Sequence, residues 1–98
     1  MGLTWTPKAF RDGWEGSDAT GYVFAHVVPG WDGRWGAFIP TEASGYPDGL
    51  WLGGHPAPDE AMDAADRVVI AHVDAVGLDV VREALRKARL RGWQDRDR

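Results

Sequence analysis

The sequence predicts an α+β fold, in which a three-stranded antiparallel sheet is packed by two C-terminal helices. Residues 21–39 are rich in β-branched and aromatic side chains on both sides of a glycine-containing loop, which is typical of a hairpin. Apolar residues recur at helical spacing through residues 58–76 and again through residues 79–91. The length of 98 residues suits one modest core, so residues 1–98 are expected to form a single domain.

The predicted elements follow in order from the N-terminus. Proline and glycines interrupt the first segment, so residues 1–20 are predicted to be an irregular or short-strand segment anchored by their aromatic side chains. The hairpin over residues 21–39 turns through a five-residue loop, residues 29–33. Residues 41–49 are polar and glycine-rich, which indicates a loop, and residues 50–52 form a short third strand.

The first helix has a recognisable beginning. Pro58 suits the first helical position, and the two acidic residues after it suit the electropositive helix N-terminus. The β-branched run 68–70 is also compatible with a strand; helix is favoured and the alternative stays open. The second helix is predicted over about residues 79–91, and residues 92–98 are predicted to be a frayed tail.

The charge of the chain is divided unevenly. Residues 1–81 carry 4 Lys+Arg against 12 Asp+Glu, a net of −8, whereas residues 82–98 carry 7 against 3, a net of +4. The total of −4 therefore conceals an acidic body and a basic C-terminal end. Such an asymmetry bears on partners rather than on fold.

Composition and motifs exclude several classes of function. The chain has no cysteine, so a disulfide framework and a thiolate metal site are excluded. Neither a secretory signal nor a membrane-length apolar run is present, so a cytoplasmic protein without membrane contact is expected. His26, His55 and His72 lack metal-ligand spacing, and Ser17 and Ser44 lie outside any nucleophile motif. We therefore expect no catalytic residues, no metal and no cofactor.

One stretch of the chain resembles a known family. Gly33-Arg34-Trp35 in the hairpin, Leu50-Trp51-Leu52 and Pro58-Asp59-Glu60-Ala61 resemble the arm-type DNA-binding domains at the N-termini of phage integrases. The resemblance covers about residues 21–73 and implies a β-β-β-α module whose sheet contacts DNA. Those domains carry basic and polar residues on the sheet, whereas this hairpin offers only Arg34 and His26.

The aromatic and acidic residues are the candidates for binding a protein partner. Trp31 lies in the hairpin loop, where an exposed tryptophan serves as an interface anchor. The other tryptophans are expected to build the core: Trp5, Trp14, Trp35, Trp51 and Trp93. The acidic residues of the first helix form either a stripe that docks on a basic groove or an ordinary solvated face: Asp59, Glu60, Asp63, Asp66 and Asp74. The first four of them are the predicted partner-binding residues.

The basic C-terminal helix is the candidate for nucleic acid, through residues 82–98. Its cations either contact phosphates or complement the helix C-terminus and the acidic body: Arg82, Arg86, Lys87 and Arg89. Both interpretations stay open.

Both faces of the hairpin look apolar, and one helical layer covers one face only. Burial of the second face by residues 1–20 or by a homodimer is preferred to a nucleobase-stacking surface. The leading hypothesis is a small acidic, tryptophan-rich protein-interaction module, a phage or mobile-element inhibitor of a host nucleic-acid-handling complex of the anti-CRISPR type. The alternatives are a small nucleic-acid-binding regulatory protein that uses the basic helix, and a component that assembles through its second sheet face.

Overall fold

The computed structural model describes the backbone of residues 2–96 and the side chains of residues 2–89. Its fold is α+β, with one five-stranded antiparallel sheet in the order β1-β2-β3-β4-β5 and two C-terminal helices. The elements are β1 Thr4–Pro7, β2 Trp14–Ser17, β3 Val23–Pro29, β4 Trp35–Ile39, α1 Thr41–Ser44, β5 Leu50–His55, α2 Pro58–Val76 and α3 Leu78–Arg96. The predicted hairpin over residues 21–39 is confirmed as β3 and β4, which a five-residue loop joins.

The predicted three-stranded sheet is wrong, because residues 1–20 supply two further strands. β1 pairs with β2, and β2 pairs with β3, so the segment extends the sheet instead of being irregular. Pro7, Gly16 and Ser17 give these four-residue strands a weak β-propensity, so β1 depends on pairing with β2, and β2 depends on pairing with β3. Gly16 is required there, since a Cβ at this position would lie 2.7 Å from the Trp5 ring.

A β-bulge adjusts which side chains of β3 are buried. Gly16 pairs with Ala25 but Ser17 pairs with Val23, so Phe24 is the extra residue in the ladder. Phe24 and Ala25 are both fully buried although they are consecutive. The bulge therefore lets two neighbouring side chains enter the core, which regular alternation does not allow.

The region after the hairpin contains more structure than predicted. Residues 41–44 form the single turn α1 inside the predicted polar loop, and β5 extends to His55 instead of ending at residue 52. The register of β4 with β5 shifts between Trp35 and Ala37, because Gly53 and Gly54 add a residue to β5. Gly54 has a φ of +83°, a conformation that glycine adopts readily.

α2 covers one face of the sheet. Its buried residues recur every four positions and pack against β3, β4 and β5: Ala61, Ala65, Val69 and Val73. The β-branched run 68–70 is helical, as favoured, because this spacing places the apolar residues on one side of a helix.

α3 packs against α1 and α2 through the buried residues Val81 and Leu85. It continues to Arg96, so the predicted end near residue 91 is wrong: a glycine inside a helix costs only about 1 kcal/mol and does not by itself stop it. The predicted frayed tail is therefore helical over residues 92–96, and residues 97–98 lie outside the described residues.

The largest fully buried side chains are aliphatic and aromatic residues from both layers: Phe24, Val27, Ile39, Val69 and Val81. Trp5, Trp14 and Trp35 are half-buried against them, and the rings of Trp14 and Trp35 lie 5.3 Å apart. Trp51 is 51% exposed, so its predicted place in the core is wrong, and the side chain of Trp93 lies outside the described residues. No helix in the described part of the chain is both long and apolar enough to cross a membrane.

Candidate interaction surfaces

Trp31 lies at the tip of the loop between β3 and β4, and its side chain is fully exposed. The loop that carries it is closed by the Gly30 N–H, which donates to the Arg34 carbonyl oxygen over 2.6 Å. Asp32 Oδ1 accepts the Arg34 N–H at 3.0 Å, and Arg34 Nη1 donates to the Gly54 carbonyl oxygen at 3.2 Å. These bonds fix the loop against β5 and leave the indole in solvent.

A small cavity of about 150 Å³ lies beside this loop. Three of the six tryptophans, Trp31, Trp35 and Trp51, contribute to its wall. The other lining residues are small or charged: Gly30, Asp32, Arg34, Gly53 and Gly54. A cavity of this size accepts one side chain of a partner, and indole walls favour an apolar or flat group.

The acidic first turn of α2 lies at the same end of the sheet. β5 ends at His55, and α2 begins at Pro58, so the turn follows closely on the strand that Arg34 contacts. Three of the four predicted acidic site residues are exposed there: Asp59, Glu60 and Asp63. These three carboxylates are hereafter called the acidic turn. The structure therefore places the acidic turn at the same end of the molecule as Trp31.

Asp66 does not belong to this surface. Its side chain is half-buried beside β1, and Oδ1 accepts the backbone N–H of Leu3 over 3.3 Å. Burial raises the pKa of Asp66 above its ordinary value, and the Leu3 hydrogen bond opposes this effect only in part. Asp66 thus ties the N-terminal strand to α2, a contact between distant residues that charge spacing along the helix does not reveal.

The first cation of the basic helix is used inside the fold. Arg82 Nε donates to Asp18 Oδ2 over 2.6 Å, and the Asp18 side chain is only 3% exposed. Oδ1 of Asp18 also accepts the Thr20 hydroxyl at 2.6 Å and the N–H groups of Thr20 and Tyr22. Burial opposes ionisation of Asp18, but the hydrogen bonds from Thr20 and Arg82 outweigh it and lower its pKa.

The remaining predicted cations lie further along α3. Arg86 forms two hydrogen bonds with Glu83, three residues earlier on the same helix. Lys87 and Arg89 are exposed, whereas the side chains of residues 90–98 lie outside the described residues. At least two of the four predicted nucleic-acid contacts, Arg82 and Arg86, therefore have intramolecular acidic partners.

The sheet face opposite α2 carries a polar cluster that the sequence analysis did not predict. Thr6, Glu15, His26, Phe38 and Trp51 form one row across the five strands. Lys8 lies beside this row, and its side chain is 12% exposed. Its Nζ atom donates to Nδ1 of the His26 ring over 2.8 Å. Glu15 lies 3.9 Å from the Lys8 Nζ atom.

The Lys8 contact requires the neutral His26 ring with its proton on Nε2. Burial lowers the pKa of His26, and the charges of Lys8 and Arg11 lower it further against the attraction of Glu15. A signal for this cluster exists only in the strand register, because 18 residues separate Lys8 from His26.

The same face exposes two aromatic side chains, Phe38 (40%) and Trp51 (51%). The indole of Trp51 lies across two glycines of neighbouring strands: a Cβ at Gly36 would be 2.3 Å from Cζ2, and one at Gly53 would be 2.6 Å from Nε1. Residues 1–20 extend the sheet edge and, apart from Lys8 on His26, leave the part of this face with Phe38 and Trp51 exposed, contrary to the preferred burial of the second face by that segment. The apolar aromatic face is therefore available for contacts.

Residues 2–89 contain no group of three or more His, Cys, Asp or Glu side chains arranged to hold a metal ion. Comparison with family models, with curated proteins and with solved structures found no match to this chain.

Proposed function

We propose that the protein is a small acidic protein-interaction module that docks through Trp31 and the acidic turn. The observation that carries this proposal is that a fully exposed tryptophan and three exposed carboxylates lie at the same end of the sheet. A tryptophan gains a large apolar burial when a partner covers it, and such residues dominate the affinity of many interfaces. The carboxylates add steering toward a partner of opposite charge.

The charge of the surface indicates the chemistry of the partner. The body of the chain, residues 1–81, has a net charge of −8, so a basic protein surface is the complementary partner. Basic grooves that hold nucleic acid have this property. We propose that the module occupies such a groove on a nucleic-acid-handling complex and thereby inhibits it, as an anti-CRISPR-type protein of a phage or mobile element would.

Affinity measurements on variants of the surface test the proposal. With a captured partner, Trp31→Ala is expected to weaken binding roughly tenfold or more, the loss typical of an anchor residue. Asp59→Lys with Glu60→Lys is expected to slow association and to invert its dependence on salt. The matched control is Asp74→Lys, an exposed acidic residue near the other end of α2, which should leave binding unchanged.

An equal loss of affinity in Asp74→Lys would show that binding depends on the net charge of the protein and not on the proposed docking surface. The inhibitory role is tested by competition: the protein should displace single- or double-stranded nucleic acid from the partner. Simultaneous binding of protein and nucleic acid would contradict inhibition and would leave only the interaction module.

A further inference from the structure

β5 is an outer strand of the sheet, and its free edge is exposed. It pairs with β4 on one side, and no described strand pairs with it on the other. Outside the ladder, Arg34 Nη1 donates a hydrogen bond to the Gly54 carbonyl oxygen near the end of the strand. Unpaired N–H and C=O groups along an outer strand are a template for another strand.

The two outer strands of the sheet differ in their protection. β1 has four residues, ends at Pro7 and is followed by Lys8, and both proline and lysine discourage pairing at an edge. β5 has six residues, Leu50–His55, without proline, Lys, Arg, Asp or Glu. It lies within a charge-free run, residues 49–58, although 27% of the whole chain is charged.

Side chains on β5 favour contact with an apolar partner. Trp51 projects on the face opposite α2 and exposes half of its surface. The neighbouring residues Leu50 and Leu52 are half-buried against the core, so they hold the strand in place from the other face. The bulge at Gly53 and Gly54 limits regular pairing to the first part of the strand.

We propose that two copies of the chain pair through the free edges of β5, antiparallel and about a two-fold axis, so that two sheets continue as one ten-stranded sheet. The body of each copy is acidic, and the charge-free strip keeps like charges from facing each other directly across the two paired strands. An antiparallel strand is complementary to itself about such an axis. Trp51, whose ring lies on Gly36 and Gly53, then flanks the junction on the face opposite α2. The short pairing stretch makes the dimer reversible.

Sedimentation equilibrium of the full chain, from about 1 to about 500 µM, tests the proposal because dimerisation depends on concentration. A monomer-to-dimer transition is expected in this range. Trp51→Lys places a charge on the edge and should weaken dimerisation by at least tenfold. The matched control is Phe10→Lys, which introduces the same charge on a fully exposed aromatic side chain between β1 and β2, at the opposite edge of the sheet, and should leave dimerisation intact.

Hydrogen exchange of the unmodified chain gives a second readout that does not depend on a variant. Amides of residues 50–53 should be more protected at the high than at the low concentration, whereas the amides of β1, the other outer strand, should be unchanged. A monomer at every concentration would overturn the proposal. A dimer that persists in Trp51→Lys, or that shows no added protection at β5, would also overturn it. Because neither Trp31 nor the acidic turn is altered, these results are independent of the proposed partner interface.

Discussion

Asp18 connects the sheet to α3 through its ion pair with Arg82. It lies in the turn between β2 and β3, and its carboxylate accepts hydrogen bonds from that turn and from Arg82. A buried carboxylate is costly unless donors surround it, and here it has both backbone and charged donors. The contact orients the helix by specific geometry as well as by apolar packing.

Asp18→Ala should lower the free energy of unfolding by about 2 to 3 kcal/mol, because it removes the partner of Arg82 and the turn hydrogen bonds together. Folding lowers the pKa of Asp18, so its contribution is fully present above the unfolded pKa of roughly 4 and is lost as the pH falls through the folded pKa. Urea unfolding at several pH values measures both effects. Exposed Asp59→Asn is the control, and an equal loss there would contradict the assignment.

His26 gives the second dependence on pH. Folding lowers its pKa, so the unfolded chain takes up the proton first, and its contribution to stability is full above the unfolded pKa of roughly 6.5. As the pH falls from this value through the folded pKa, the contribution is lost and the contact with Lys8 breaks. His26→Asn should flatten this part of the stability profile, measured by urea unfolding from about pH 7.5 to about pH 5. An unchanged slope would contradict the role of His26.

At the scale of the elements, β4 and β5 are joined by an aromatic ring lying on glycines. Gly36→Ala would place a Cβ 2.3 Å from the Trp51 ring, and the ring would have to move. We expect a loss of about 1 to 3 kcal/mol in unfolding free energy, the cost typical of overpacking. In the double variant with Trp51→Ala, most of that loss should disappear, because the clash is gone. Additive losses in this double-mutant cycle would contradict the contact.

The sequence predicts elements whose stability is local and misses those that depend on distant partners. α2 shows its period in the repeat of Ala61, Ala65, Val69 and Val73, which alone defines one apolar side. β1 and β2 have no comparable pattern, because four-residue strands with proline and glycine are stabilised by pairing. The bulge at Phe24 likewise arises from register between strands, which no property of β3 alone specifies.

The candidate site also contains features that the sequence predicts and contacts that it does not. The exposure of Trp31 follows from its position in a hairpin loop, and exposure of the acidic turn follows from the apolar period of α2. The contacts of Asp66 with Leu3 and of Arg82 with Asp18 join residues 63 and 64 positions apart, so charge patterns do not show them. The half-exposed position of Trp51 was not predicted either, because its ring lies on glycines, which give no apolar pattern in the sequence.

At the scale of the whole molecule, the divided charge is partly neutralised inside the fold. The basic helix meets the acidic body at Arg82, while Arg86 pairs within α3, so the cations there are not simply a surface for phosphates. The acidic turn and Trp31 instead share one end of the sheet. The proposed basic partner would bind at that end, and Arg82 holds α3 to the turn between β2 and β3 at the other.

The most direct test of this account is capture of partners from a nuclease-treated native bacterial lysate by the tagged protein. The same capture is made with a variant that combines Trp31→Ala, Asp59→Lys and Glu60→Lys, after circular dichroism has shown that the variant is folded. The account predicts that a protein is retained by the unmodified chain and lost from the variant. Equal retention of the protein by the unmodified chain and by the variant would contradict the account. In a parallel capture from lysate without nuclease, retention of nucleic acid alone would also contradict it.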